Sequence, residues 1–182
     1  MFKEKMILAV DVQYCANMGF AGGVLFEKWT SQVAQGEVSC GPIEVADYTP
    51  GEFYVRELPC ILALLKEHEL QPHTIVIDGH VYLDGVEEPG LGKRLHDALG
   101  GEVWIVGVAK KPFVRTPDNC RVYRGESGNP LYVTSTQDLD VAKSQVESMH
   151  GKYRLPEMIK RADQWCREVA NHWQSQHSQP NP

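Results

Sequence analysis

Three acidic residues stand where their local sequence would aim them at one point. The apolar run Thr74-Ile75-Val76-Ile77 stops at Asp78, which Gly79 and His80 follow. The run Met6-Ile7-Leu8-Ala9-Val10 stops at Asp11 in the same way. A buried strand ending in an acid places that carboxylate at the carboxyl edge of a sheet, where open α/β sheets bind their ligands. Glu57 lies in a stretch of helical period, residues 52–68, that can pack over such an edge. If the two strands are neighbours, Asp11 and Asp78 meet. Carboxylates this close repel, and one takes up a proton unless a cation joins them. Mg²⁺ suits the arrangement, because it prefers oxygen ligands and often binds through a few carboxylates plus a substrate phosphate. Such a centre can hold a phosphate oxygen, generate hydroxide and stabilise a leaving oxygen. Taken singly, each acid also fits a plainer role. An Asp at a strand end commonly caps a turn, and Glu57 can pair with Arg56 or Lys66 on a surface.

The elements that must deliver these residues follow from periodicity and turn signals. Strands are expected at 5–12, 22–29 and 37–46, with residues 14–19 as a turn. The helical stretch 52–68 contains Pro59, which predicts a kink or a restart. A strand at 74–78, a Gly- and acid-rich loop at 79–90, a helix at 91–99 and a strand at 103–109 come next. Residues 110–130 read as irregular, 131–133 as a short strand, 140–149 and 156–173 as helices, and about 174–182 as a polar tail. Antiparallel strands followed by alternating β and α predict a mixed α/β sheet with helices on both faces. The 182 residues suit one domain, 1–182, without repeat or linker.

Composition narrows the class. An apolar content of 42% excludes a disordered chain. No apolar run approaches the roughly 18 residues of a membrane span, and the charged start Met1-Phe2-Lys3-Glu4-Lys5 does not resemble a signal peptide. Five widely spaced cysteines without a CxxC pair point to reduced thiols and a cytoplasmic protein. The net charge of −6 weighs against nucleic acid as a partner. Acids that hold a metal, however, lower the formal charge without describing the binding face. Basic residues do gather at Lys110-Lys111, Arg115, Arg121, Arg124, Lys152 and Arg154.

Six segments, in order, resemble the endonuclease V family. Ala9-Val10-Asp11-Val12-Gln13-Tyr14 is similar to its Asp-Val-Ser-Tyr strand. Tyr48-Thr49-Pro50-Gly51 with Arg56-Glu57-Leu58-Pro59 resembles its Tyr-x-Pro-Gly … Arg-Glu-x-Pro segment. Asp78-Gly79-His80 and Gly107-Val108-Ala109-Lys110 match two further motifs. Gly128-Asn129-Pro130-Leu131-Tyr132-Val133 and Gly151-Lys152-Tyr153-Arg154-Leu155-Pro156-Glu157 resemble its C-terminal segments. The resemblance implies a ribonuclease H-like fold with strand order 3-2-1-4-5. It implies Mg²⁺-dependent hydrolysis, with Mn²⁺ able to substitute, of a phosphodiester near hypoxanthine in DNA or inosine in RNA. Asp11, Glu57 and Asp78 would be the metal ligands, and Lys110 would approach a phosphate beside them. Tyr48 and Pro50 would lie in a wedge next to the lesion, with Gly79, His80 and Gly128 also contacting nucleic acid. A monomer acting on nucleic acid, without a membrane, is the implied setting. Plainer roles exist here too: Tyr48 as a loop anchor, Lys110 as a solvated lysine, Gly79 as a turn glycine and His80 as a loop histidine.

Two departures from the family pattern define an alternative. The family places a catalytic histidine shortly after Leu-Tyr-Val, and the aligned residue is Gln137, whose amide cannot accept a proton as imidazole does. Asp138 or Asp140 is then the nearest source of a ligand oxygen. The family's His-Pro-Arg after Asp-Gly-His is replaced by Tyr82 to Pro89, an acidic loop expected to repel phosphate. The alternative is a chain that keeps the fold as a nucleic-acid-binding module and cuts weakly or not at all.

Overall fold

Strand β1 (Ile7–Cys15) is buried on both sides, which is why residues 7 to 10 are all apolar. Leu8, Val10 and Val12 face one core, and Ile7 and Ala9 face the other. The structure, a computed structural model, describes residues 5–178. β1 pairs antiparallel with β2 (Met18–Phe26), which pairs antiparallel with β3 (Gly36–Glu44). On its other side β1 runs parallel to β4 (Thr74–Asp78), and β4 parallel to β5 (Trp104–Ala109). The order 3-2-1-4-5 implied by the family resemblance continues through β7 (Leu131–Ser135), expected as a short strand at 131–133, to a two-residue β6 (Arg121–Val122) inside the stretch read as irregular. Helices α1 (Phe53–Glu67) and α2 (Leu91–Ala98) cover the face of Leu8 and Val10. Helices α3 (Leu139–Ser148) and α4 (Glu157–His177) cover the face of Ile7 and Ala9.

Three boundaries differ from expectation for physical reasons. β1 and β2 meet at a two-residue turn, Ala16-Asn17, so Tyr14, Cys15, Met18 and Gly19 are strand rather than turn. The glycines of β2 are there for packing: a Cβ on Gly22 would lie 2.6 Å from the backbone nitrogen of Cys166 in α4. α1 passes through Pro59 as one helix, with the Cys60 thiol donating to the Arg56 carbonyl 3.4 Å away. α4 extends to His177, into the expected tail, where Trp173 stacks on His177 at 4.4 Å and packs on Phe20 at 5.5 Å. Residues 179–182 of that tail lie outside the described residues. Among the described residues, no helix is long and apolar enough to cross a membrane.

Candidate metal and nucleic-acid site

The parallel register of β1 and β4 pairs Val10 with Ile77, so the next residues, Asp11 and Asp78, stand side by side at the carboxyl edge. Asp11 is largely buried, and that burial, reinforced by the Asp78 charge, pushes its carboxyl up to about 7, against a hydrogen bond of 2.8 Å from the Val12 amide. α1 brings Glu57 to the same place. Burial first, then the charges of Asp11 and Asp78, push its carboxyl up to about 8. The three acids singled out by sequence are therefore close enough for the Asp78 charge to oppose the ionisation of Asp11 and Glu57. Lys110, just past the end of β5, reaches across with its Nζ 2.8 Å from Asp78 Oδ2. Burial works against the Lys110 charge, but the Asp78 contact leaves its pKa raised.

A fourth acid joins them from α4. Asp11, Asp163 and Cys166 each present a possible ligand atom, and these atoms lie within 4.8 Å of one another. Asp163 interrupts the buried stripe Ile159, Ala162, Cys166 and Ala170. A charge in an apolar helical stripe was the available sequence signal for it. Cys166 donates to the Asp163 carbonyl at 3.2 Å, and burial with the two nearby carboxylates pushes its thiol pKa up. That thiol stays protonated and is a poor ligand beside oxygen donors. Carboxylates held together despite the raised pKa values of Asp11 and Glu57, with Lys110 on Asp78 and Arg167 on Asp163 at 2.9 Å as the nearby cations, fit a hard divalent ion.

Gln137 is nowhere near this edge. β7 runs antiparallel to β5, pairing Tyr132 with Ala109 and Ser135 with Val106. Residues after Val133 are thus carried back toward the start of β5, and Thr136 exchanges hydrogen bonds with Ile105 there. Gln137 donates to Gln145 of α3 at 2.8 Å. Asp138 caps α3 by accepting from the Val141 amide at 3.0 Å, and Asp140 sits in that helix's first turn. None of the three lies at the carboxyl edge; Asp163 does, within reach of Asp11.

Beside the acids lies a cavity of about 460 Å³, lined by Phe53, Glu57, Asp78, Gly79, His80 and Phe113 among others. No atom lies within 4 Å of where a Gly79 Cβ would be, so this glycine keeps the wall open. His80 rests its Nε2 3.2 Å from the Lys111 carbonyl, and its Nδ1 is buried without a partner. Burial lowers its pKa, which favours the neutral ring. Tyr48 is 55% exposed, and its ring packs at a tilt on Phe53, 5.8 Å between centroids. Pro50 is exposed in the same loop, ahead of α1. Gly128 is exposed in the turn before β7, the turn that reaches the end of β5. The acidic loop is partly self-neutralised. Asp84 accepts from the amides of Val86, Glu87 and Glu88, which hold its carboxyl down to about 2, and Arg115 pairs with Glu88.

A mixed sheet in this order, with acids at the ends of two adjacent parallel strands and helices on both faces, is the ribonuclease H-like architecture of metal-type nucleases. The family profile described as endonuclease V matches residues 1–128. An endonuclease V of Streptomyces avermitilis is 30% identical over 189 residues, spanning 90% of this chain and 80% of that protein. The crystal structure of an endonuclease V from Streptomyces avermitilis superposes with a TM-score of 0.76 at 28% identity, covering 92% of this chain and 82% of that one. An endonuclease V of Ciona intestinalis, solved with a 24mer DNA containing an inosine followed by a ribo-adenosine, shares the fold. Its TM-score is 0.75 at 19% identity, over 94% of this chain and 88% of that one. The chain belongs to the endonuclease V family and is a nuclease, a hydrolase of phosphodiesters.

Proposed function

We propose that the chain is a Mg²⁺-dependent endonuclease that cuts DNA or RNA beside a deaminated adenine, acting as a monomer in the cytoplasm. The observation that carries this is the convergence of Asp11 and Asp78 at one sheet edge, with Glu57 and Asp163 brought in by two helices from opposite faces. Asp11, Glu57, Asp78 and Asp163 would hold Mg²⁺, or Mn²⁺ in its place. The bound ion would supply positive charge to the phosphate oxygens under attack. Lys110, now on Asp78, is placed to donate to a phosphate oxygen once substrate arrives. Gly79 leaves backbone room for an extruded base in the cavity, and Tyr48 offers a ring for stacking beside it. Pro50 stiffens the Tyr48 loop, while His80 and Gly128 line the strand's path. The inosine-bearing DNA held by the Ciona relative supports the choice of lesion. Five free thiols support a reducing compartment.

The alternative of a binding module without catalysis rests on Gln137 and on the acidic loop from Tyr82 to Pro89. Gln137 at the opposite end of β5 and Asp163 beside Asp11 favour the nuclease over the first of these grounds, and the pairing of Glu88 with Arg115 softens the second. A single titration tests the proposal. Adding Mg²⁺ or Mn²⁺ should raise the melting temperature and start nicking of an inosine-containing oligonucleotide. A mobility shift of that oligonucleotide without cutting, in saturating metal, would assign the chain to binding alone.

A further inference from the structure

Arg124 is 7% exposed, and among the described residues no carboxylate pairs with it. Its guanidinium is answered instead by carbonyls. Nη1 donates to Tyr153 O at 2.9 Å and Arg154 O at 3.1 Å. Nη2 donates to Met149 O at 2.5 Å and Gly151 O at 3.1 Å. Four acceptors from one six-residue segment, which is neither helix nor strand, are thus gathered on one side chain. At Gly125 the backbones touch: a Cβ there would lie 2.5 Å from the Lys152 carbonyl. The segment 149–154 is therefore fixed to the end of β6 as one body.

That body reaches the acids by two routes. Arg154 donates through Nη2 to the Lys110 carbonyl at 2.5 Å, and Lys110 in turn holds Asp78 at 2.8 Å. The same segment leads into α4, where the Glu157 amide bonds back to the His150 carbonyl at 3.0 Å, and α4 carries Asp163 to Asp11. We infer that Arg124 is a positioning residue of the catalytic centre, fixing the turn through which Arg154 aims Lys110 and α4 delivers Asp163. It touches no reacting atom, and its effect passes through the two residues it seats. A planar fork with several fixed donors suits this task, and a lysine ammonium cannot span the same carbonyls. The inference rests on the roles proposed above for Lys110 and Asp163.

The test compares Arg124→Ala, Arg124→Lys and Arg154→Ala with the unaltered chain, using Mg²⁺ and an inosine-containing oligonucleotide. Four quantities are read: kcat, KM, the melting temperature, and the NMR shift of the Lys111 amide. That amide shares its peptide unit with the Lys110 carbonyl. Arg154→Ala leaves the clamp intact, so it should melt near the unaltered temperature, shift the Lys111 amide and lower kcat on the order of 10- to 100-fold with KM hardly moved. Arg124→Ala should show the same kcat loss with a lower melting temperature, and millimolar guanidinium should restore part of that kcat. Arg124→Lys should stay impaired. Unaltered kcat in Arg154→Ala, or in Arg124→Ala with only its melting temperature lowered, would make Arg124 a folding staple and overturn the inference. Should Arg124→Ala not fold, Arg154→Ala carries the decision. If the unaltered chain cuts nothing, the functional proposal fails on its own, and the Lys111 amide still decides: a resonance unmoved by Arg154→Ala overturns the positioning role.

Discussion

Asp163, on the last helix, presents a carboxylate oxygen within 4.8 Å of one from Asp11, on the first strand. The first strand and the last helix thus meet at one edge, and they do so only when α4 is seated on the sheet. Asp163→Asn should therefore weaken metal binding on the order of 10- to 100-fold, the loss usual when a supporting oxygen is removed. Calorimetry with Mn²⁺ checks it, and an unchanged affinity would leave Asp163 as a bystander.

Gln137→His tests the opposite assignment. The residue lies at the far end of β5, bonded to Gln145. Cleavage should be unchanged, with a stability loss of about 1 kcal/mol from the broken amide pair. A gain in kcat would mean that this position reaches the acids after all.

Gly22→Ala probes the seating of α4. Its Cβ would meet the backbone of Cys166 at 2.6 and 2.9 Å, where only movement of the helix gives relief. The expected cost is about 1–3 kcal/mol, as for overpacked cores. Activity should fall as well, because the displaced turn of helix is the one that follows Asp163. Denaturant unfolding and cleavage assays on the same sample separate the two effects.

The pH dependence of the metal-free protein has a definite sign. Asp11 and Glu57 sit at about 7 and about 8, above their ordinary 3.8 and 4.5, chiefly because they are buried. The native state then holds protons that the unfolded chain has already released. Their contribution is fully present below the ordinary values and is lost as pH rises through the folded ones. The metal-free melting temperature should fall between about pH 5 and about pH 8. Mg²⁺ should flatten that slope by taking the protons' place. A metal-free melting temperature that rises over the same window would contradict the crowding of these acids.

Much of the site was legible locally. Two apolar runs, each ending in an acid, predict Asp11 and Asp78 on adjacent strands, and the helical period places Glu57 over them. What was not legible depended on partners distant in sequence. The glycines of β2 look like turn residues until α4 is laid against Gly22. Gln137 falls near the site only if β7 runs toward the carboxyl edge, and nothing in Leu131–Ser135 sets the direction of that strand. Asp163 was readable in principle, as the one acid between Ile159 and Cys166 on a buried face. The end of α4 was hidden by the polar run 174–177, which is held by the packing of Trp173 on Phe20.

The most direct measurement is the anomalous scattering of Mn²⁺ soaked into crystals of the unaltered chain and of Asp78→Asn. A strong peak is expected at the carboxyl edge, in contact with Asp11 and Asp78, that weakens or vanishes in the variant along with cleavage. A peak elsewhere with this edge empty, or an Asp78→Asn chain that still cuts at the full rate, would contradict that expectation.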